Sequence, residues 1–362
     1  MNVVRAMVVV MVAAVVGSCA SQTSVPVETT VSVQTTVSVQ TTTVPVETTI
    51  APETSVSVAT TEPPAQPVIA QPGVAAAGGV VASTLVTADG RTRSYGVYVP
   101  SVLPDGPVPL LLAFHGGTGW GAQFERNSGF DELAESNGFL VVYPDGIGGG
   151  DDESTNRTWN GGRCCGAAAR NNVDDVAFVN QLLDELEAAY SVDRARVFAA
   201  GHSNGGILSY RLACELSGRI VAIGHQSGTM EIDSCTPATP VSLLHIHGTA
   251  DDSLPIDGGR GAASIAGVDF TSPRVAVRTF AAANGCAAEP TVAADVENPD
   301  LVTSTWGDCP GSTEVRFLEV QGASHSWMGH TPSSPAAAPA YQGLDASFAI
   351  VSFLLAHPRI PA

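Results

Sequence analysis

The stretch RVFAAGHSNGGILSYRLAC, residues 196–214, decides the fold. It begins as an apolar β-type run, passes through Gly201-His202-Ser203-Asn204-Gly205-Gly206, and continues with helical periodicity over about 204–216. A strand that becomes a helix with no loop between forces backbone angles that ordinary side chains avoid, so small residues are needed on both sides of Ser203. Such a turn lifts the serine hydroxyl over the end of the sheet. It also sets the amide of Asn204 at the positive end of a helix, beside any oxyanion formed at an attacked carbonyl.

Outward from this crease, apolar runs alternate with helical patterns. PLLLAFHGG (109–117) precedes a helix expected over 123–137; FLVVYPDG (139–146) precedes one over 173–190. RIVAIGHQSG, PVSLLHIHG and TEVRFLEV follow, with helices expected near 273–284 and 344–356. Strands that are apolar on both faces and alternate with helices make an α/β fold with a mostly parallel sheet covered on both sides. Residues 80–100, with Asp89-Gly90 at their centre, read as a leading hairpin.

Gly201–Gly205 matches G-x-S-x-G, the nucleophile elbow of α/β-hydrolases, whose partners follow in the order acid, then histidine. PVSLLHIHGTAD (240–251) offers Asp251 at the carboxyl end of a strand, and TEVRFLEVQGASHSW (313–327) offers His325 in the loop after the last clear strand. The expected roles are Ser203 as nucleophile, His325 as general base and acid, and Asp251 as the group that orients the imidazole. Asp252 is the neighbouring rival, read instead as a turn or helix cap. The oxyanion donors are expected at the amide of Asn204 and in His115-Gly116-Gly117-Thr118, at Gly117 or Thr118. Trp327 and His202 are the residues expected to bind substrate; Trp159 and Trp306 suit core packing better. His245-x-His247 lies inside an apolar run without a carboxylate or cysteine partner, so no metal site is expected. Asp174 and Asp175 read as helix N-terminal carboxylates, and Asp151, Asp152 and Glu153 as an acidic loop rather than a calcium site.

Charge and composition narrow the function further. The net charge of -19 leaves no basic patch for nucleic acid. All 16 basic residues are arginine, which excludes a Walker lysine, a Schiff-base lysine and a Ser-x-x-Lys nucleophile. No cofactor is needed for the expected chemistry.

The chain divides into three parts: an export signal over 1–19, a stalk over 20–74 and a catalytic domain over 75–362. Met7–Val16 is an apolar core too short for a comfortable membrane span, and Val16-Gly17-Ser18-Cys19 is similar to a bacterial lipobox with Val in place of the commoner Leu. A lipidated envelope protein and a plainly secreted one are both open, with membrane contact only through the lipid. Residues from Ser21 to about Pro72 repeat VPVETT and VSVQTT without an aromatic or basic residue, a composition expected to stay extended rather than build a core. Six cysteines beyond Cys19 suit an oxidising compartment. Cys214 with Cys235 and Cys286 with Cys309 are the favoured pairs; Cys164 and Cys165 are either bridged to each other or free.

FHGGTG, VVYPDG, WNGGRCCGAAARNNVDDVAF, GHSNGG, HIHGTADDSLPIDGG and GASHSWMG together cover most of residues 78–356. On these stretches the domain resembles the esterase family of extracellular polyhydroxybutyrate depolymerases and feruloyl esterases. The resemblance implies a secreted serine esterase with Ser203, Asp251 and His325 as its triad, acting on a small, oligomeric or polymeric ester. SHSWMG departs from the Gly-His-Thr-Trp-Pro-like run usual in that family, and no separate polymer-binding domain is visible. A noncatalytic ligand-binding protein on the same fold and a serine peptidase-like hydrolase are the alternative readings.

Overall fold

A computed structural model describes residues 78–150, 153–332 and 337–360. The expected signal, lipobox and stalk, like Asp151 and Asp152, lie outside the described residues.

Ten strands form one mixed sheet in the order β1-β2-β4-β3-β7-β8-β9-β12-β11-β10. Its centre is parallel: β4 (Leu140–Pro144), β3 (Val108–Phe114), β7 (Val192–His202), β8 (Ala222–Gln226), β9 (Ser242–Gly248) and β12 (Val315–Val320). The edges are antiparallel. On one side lies the expected hairpin, β1 (Gly79–Val86) and β2 (Thr92–Val99); on the other, β11 (Leu301–Trp306) and β10 (Thr291–Ala294). The latter pair sits between Cys286 and Cys309, which are bridged.

All seven residues of β3 and all seven of β9 are buried, as the apolar runs require. Alternation along β3 divides them: Leu110, Leu112 and Phe114 join the core under α4 (Asp175–Ala189), α5 (Asn204–Glu215) and α6 (Pro273–Ala283). Leu111 and Ala113 join the core under α1 (Gly121–Ser128), α2 (Phe130–Asn137) and α7 (Ala346–Ala356). The single helix expected over 123–137 is thus two, because Gly129, at φ 69°, ends the first and starts the second. The pattern reading also missed a small hairpin, β5 (Ile147–Gly149) with β6 (Thr155–Thr158), and the one-turn helix α3 (Gly166–Arg170).

The sheet order sets the stage for chemistry. Ser203 follows β7, the loop from His115 follows β3 on one side, and Asp251 and His325 follow β9 and β12 on the other. All four therefore stand at the carboxyl edge of the parallel strands, where open α/β sheets meet their ligands.

Candidate active site

Ser203 holds φ 54° and ψ -118°, a conformation that L-residues seldom adopt. Its amide donates to the Gln226 carbonyl at 2.9 Å, so the strain is held in place by the neighbouring strand. The hydroxyl makes no capping bond to α5, which leaves it free for another task. Close packing explains the glycines: a Cβ at Gly201 would collide with the Gly205 carbonyl group, and one at Gly205 with the carbonyl oxygen of Phe114.

His325 Nδ1 lies 2.8 Å from Asp251 Oδ2 and 3.0 Å from Oδ1. Asp251 is buried, and its Oδ1 also accepts from the amides of Leu254 at 2.8 Å and Ser253 at 3.0 Å. Burial alone would raise this carboxyl. The hydrogen bond to His325, the electrostatic influence of the His325 and His247 rings and the Leu254 amide outweigh burial and hold it at about 2. An ionised Asp251 fixes the Nδ1–H tautomer and leaves Nε2 available for proton transfer. Asp252, by contrast, is exposed, and its carboxylate has no partner among the described residues.

A cleft of about 530 Å³ gathers these groups. Ser203, Asn204, His325, Trp327 and His202 line it together with Gly116, Gly117 and Thr118. The loop after β3 packs directly on the elbow: a Cβ at Gly116 would sit 3.5 Å from Cβ of Ser203, and one at Gly117 would sit 3.9 Å from Cβ of Asn204. The Thr118 amide, however, donates to the Arg157 carbonyl at 2.7 Å. This corrects the expectation at Thr118: an amide already committed to a carbonyl has nothing to offer an oxyanion. Gly117 and Asn204 remain as the candidate donors.

Trp159, assigned above to packing, is the brace of this half of the site. Its backbone N–H donates to Asn204 Oδ1 at 2.7 Å, its carbonyl accepts from Asn204 Nδ2 at 3.0 Å, and its indole N–H donates to the His115 carbonyl at 3.0 Å. One buried residue thereby ties the start of α5 to the loop after β3. His115 locks the same loop from inside, donating from Nδ1 to the Gly116 carbonyl at 2.7 Å and accepting from Gly146 at Nε2 at 2.9 Å. Burial brings this imidazole down to about 4, so it stays neutral. Behind Trp159, the amide of Asn160 donates to Asp175 at 2.7 Å, and Asp175 pairs with Arg93 at 2.8 Å where both are buried. Asp174 is the helix cap expected of it, accepting from Ala177. Asp175 is, as expected, a carboxylate in the first turn of α4, and it serves besides as an internal anchor; nothing in its local sequence names Arg93.

His202 reaches across the site: its Nε2–H donates to the His325 carbonyl at 2.8 Å. It lines the cleft, yet this bond gives it a second occupation besides meeting substrate. Trp327 packs edge-on against Phe124 and Phe130, donates its indole N–H to Ser347 at 2.9 Å, and lines the cleft. Trp306 is buried in β11.

His245 and His247 lie beneath Asp251 in one hydrogen-bonded row. Tyr210 O–H donates to His245 Nδ1 at 3.0 Å, His245 Nε2–H to His247 Nδ1 at 3.1 Å, and His247 Nε2–H to the Leu254 carbonyl at 2.8 Å. Each ring nitrogen is used once, in a single neutral tautomer. His247 also approaches Asp251 Oδ2 at 3.5 Å. The pair is a support for the Asp251 loop, and among the described residues no group of three or more ligating side chains could hold a metal ion.

The third disulfide links Cys164 to Cys165, which resolves the alternative left open by the sequence; Cys214 and Cys235 are bridged as expected. Cys165 contributes to the cleft wall with Ile207, Leu254 and Phe270.

A parallel-centred sheet with a strained serine at its strand-to-helix turn defines an α/β-hydrolase. The family model Esterase, described as "Putative esterase", matches residues 87–317, and the chain belongs to that family. It is 30% identical over 245 residues to a bifunctional acetylxylan esterase/xylanase of Neocallimastix patriciarum, covering 68% of this chain and 32% of that one. It is 28% identical to feruloyl esterase B of Piromyces equi, covering 61% of this chain and 40% of the relative. The chain thus spans about a third to two fifths of the length of these two relatives. The solved acetyl xylan esterase from Aspergillus awamori shares the fold, with a TM-score of 0.50 and 17% identity over 70% of this chain and 95% of that one.

Proposed function

We propose that the chain is a serine carboxylic-ester hydrolase that works through an acyl-enzyme. The observation that carries this reading is the Asp251–His325 pair opening into the same cleft as the strained, uncapped Ser203. His325 Nε2 takes the Ser203 proton as Oγ attacks the ester carbonyl, and the amides of Asn204 and Gly117 receive the oxyanion. The carbon–oxygen bond to the alcohol then breaks, and His325 returns the proton to the departing oxygen. Water repeats the cycle on the acyl-enzyme and frees the acid.

Acetyl or feruloyl esters of plant cell walls and oligomers of hydroxyalkanoates are the proposed substrates, the first two by likeness to the named relatives. Export, with or without a lipid at Cys19, is proposed from the N-terminal sequence and supported by three disulfides. No helix among the described residues is long and apolar enough to cross a membrane. Hydrolysis of p-nitrophenyl acetate, p-nitrophenyl butyrate, methyl ferulate and a 3-hydroxybutyrate oligomer, each beside Ser203→Ala, tests the proposal. Activity lost in the variant is the expected result; a folded wild-type chain that turns over no ester overturns it.

A further inference from the structure

The cleft is electrostatically unlike the rest of the molecule. The chain carries 35 acidic residues against 16 arginines, yet no Asp or Glu lines the cleft among the described residues. Apart from imidazoles, its one ionisable side chain among the described residues is Arg170.

Arg170 is the last residue of α3, one turn beyond Gly166 and Ala167, which line the same cleft. It is exposed and makes no ion pair or hydrogen bond among the described residues. Arginines elsewhere are mostly taken: Arg91 holds Glu153, Arg163 holds Glu231, and Arg157 approaches Asp145. Arg126, Arg278 and Arg359 also lack an ion pair among the described residues, but none of them lines the cleft. The same cleft has an apolar wall of Cys165, Ile207, Leu254 and Phe270, with Ala266 packed against it. A ligand that matches this sequence of surfaces has an apolar body and a negative end.

We propose that Arg170 forms a carboxylate subsite, and that the preferred substrates are esters whose acyl chain ends in a free carboxylate, such as hemiesters of dicarboxylic acids. The acyl chain lies along the apolar wall with its carbonyl at Ser203, and the planar guanidinium meets the two carboxylate oxygens side by side. Because Arg170 is solvated, the pairing is worth a several-fold preference rather than an absolute one, and salt weakens it. For turnover, the proposal rests on the hydrolase reading above.

The test compares kcat/KM for mono-p-nitrophenyl succinate, glutarate and adipate with that for p-nitrophenyl butyrate. In Arg170→Gln the anionic-to-neutral ratio is expected to fall about fivefold, further in Arg170→Glu, and to recover in part in Arg170→Lys. Raising NaCl from about 0.05 to 0.5 M should lower the wild-type ratio while leaving that of Arg170→Gln in place. A ratio that Arg170→Gln does not change overturns the subsite. A separate arm measures binding of monoethyl glutarate to the full-length Ser203→Ala chain by calorimetry, with and without Arg170→Gln. If no ester is turned over, the hydrolase reading fails, and this arm still decides the subsite: binding weakened by Arg170→Gln upholds it, and unchanged binding overturns it.

Discussion

The floor of the cleft and its rim are built on different terms. On the floor, each polar atom of Asn204, Trp159, His115 and Asp251 that positions the site has a named partner, and these residues are 4% exposed or less. On the rim, Ile265 is 79% exposed and Arg170 is unpaired among the described residues. Floor residues specify one another, so a change there propagates. Rim residues answer only to solvent and to whatever enters. The chemistry of the site and its selectivity can therefore be altered separately.

The sharpest way to break this contrast is at the two adjacent carboxylates. Asp251→Asn is expected to lower kcat by about 10³- to 10⁴-fold, because the amide favours the wrong His325 tautomer. Asp252→Asn, one residue away and exposed, is expected to change it by less than about twofold. Equal losses in the two variants would show that the loop, rather than the Asp251–His325 bond, matters. Next in size is Trp159→Phe, which removes the donor to the buried His115 carbonyl. Thermal unfolding should report a loss of about 1–3 kcal/mol. kcat should fall about tenfold with little change in KM, as expected when a support of the oxyanion site is loosened.

Acid provides a third probe, aimed at the whole floor. Burial holds His115 and His202 down to about 4 and His225 on β8 to about 3, and it pushes His245 and His247 down as well, so these five rings remain neutral in the folded chain. Below about pH 6.5 the unfolded chain takes up protons that the folded one refuses, so stability falls with pH from there to about 4. Each such imidazole contributes a slope of about 1.4 kcal/mol per pH unit in that window. The urea midpoint should drop between pH 7.5 and pH 5 with a slope approaching about four protons, from five buried imidazoles opposed by the Asp131 carboxyl that burial raises to about 6; a flat profile would mean that these rings are charged or solvated. The smallest effect is expected at the rim, where Ile265→Ser should shift KM for butyl and longer esters by less than about threefold and leave the melting temperature within a degree.

The same division explains what could be read in advance. The elbow was legible because Gly201, Ser203 and Gly205 answer a local crowding problem, and Asp251 and His325 because each follows an apolar strand closely. The parallel core was legible from runs such as Val108–Phe114. What stayed hidden depends on distant partners: Arg93 and Asp175 are 82 residues apart, and Trp159 meets Asn204 across 45. No period within either segment encodes the other. Thr118 was misassigned for the same reason, since its amide is consumed by Arg157 on β6, a short hairpin strand with no apolar pattern. Gly129 is a milder case: it sits inside a continuous helical pattern, and only its positive φ separates α1 from α2.

The bond from His202 to the His325 carbonyl has a consequence for how this sequence can drift. In the pattern G-x-S-x-G the second position is nominally free, but here it holds the loop that carries the base. A substitution at 202 would therefore be felt as a misplaced histidine 123 residues later in the chain. Position 202 and the 325 loop should change together or not at all, and a library that randomises 202 alone should return few active members.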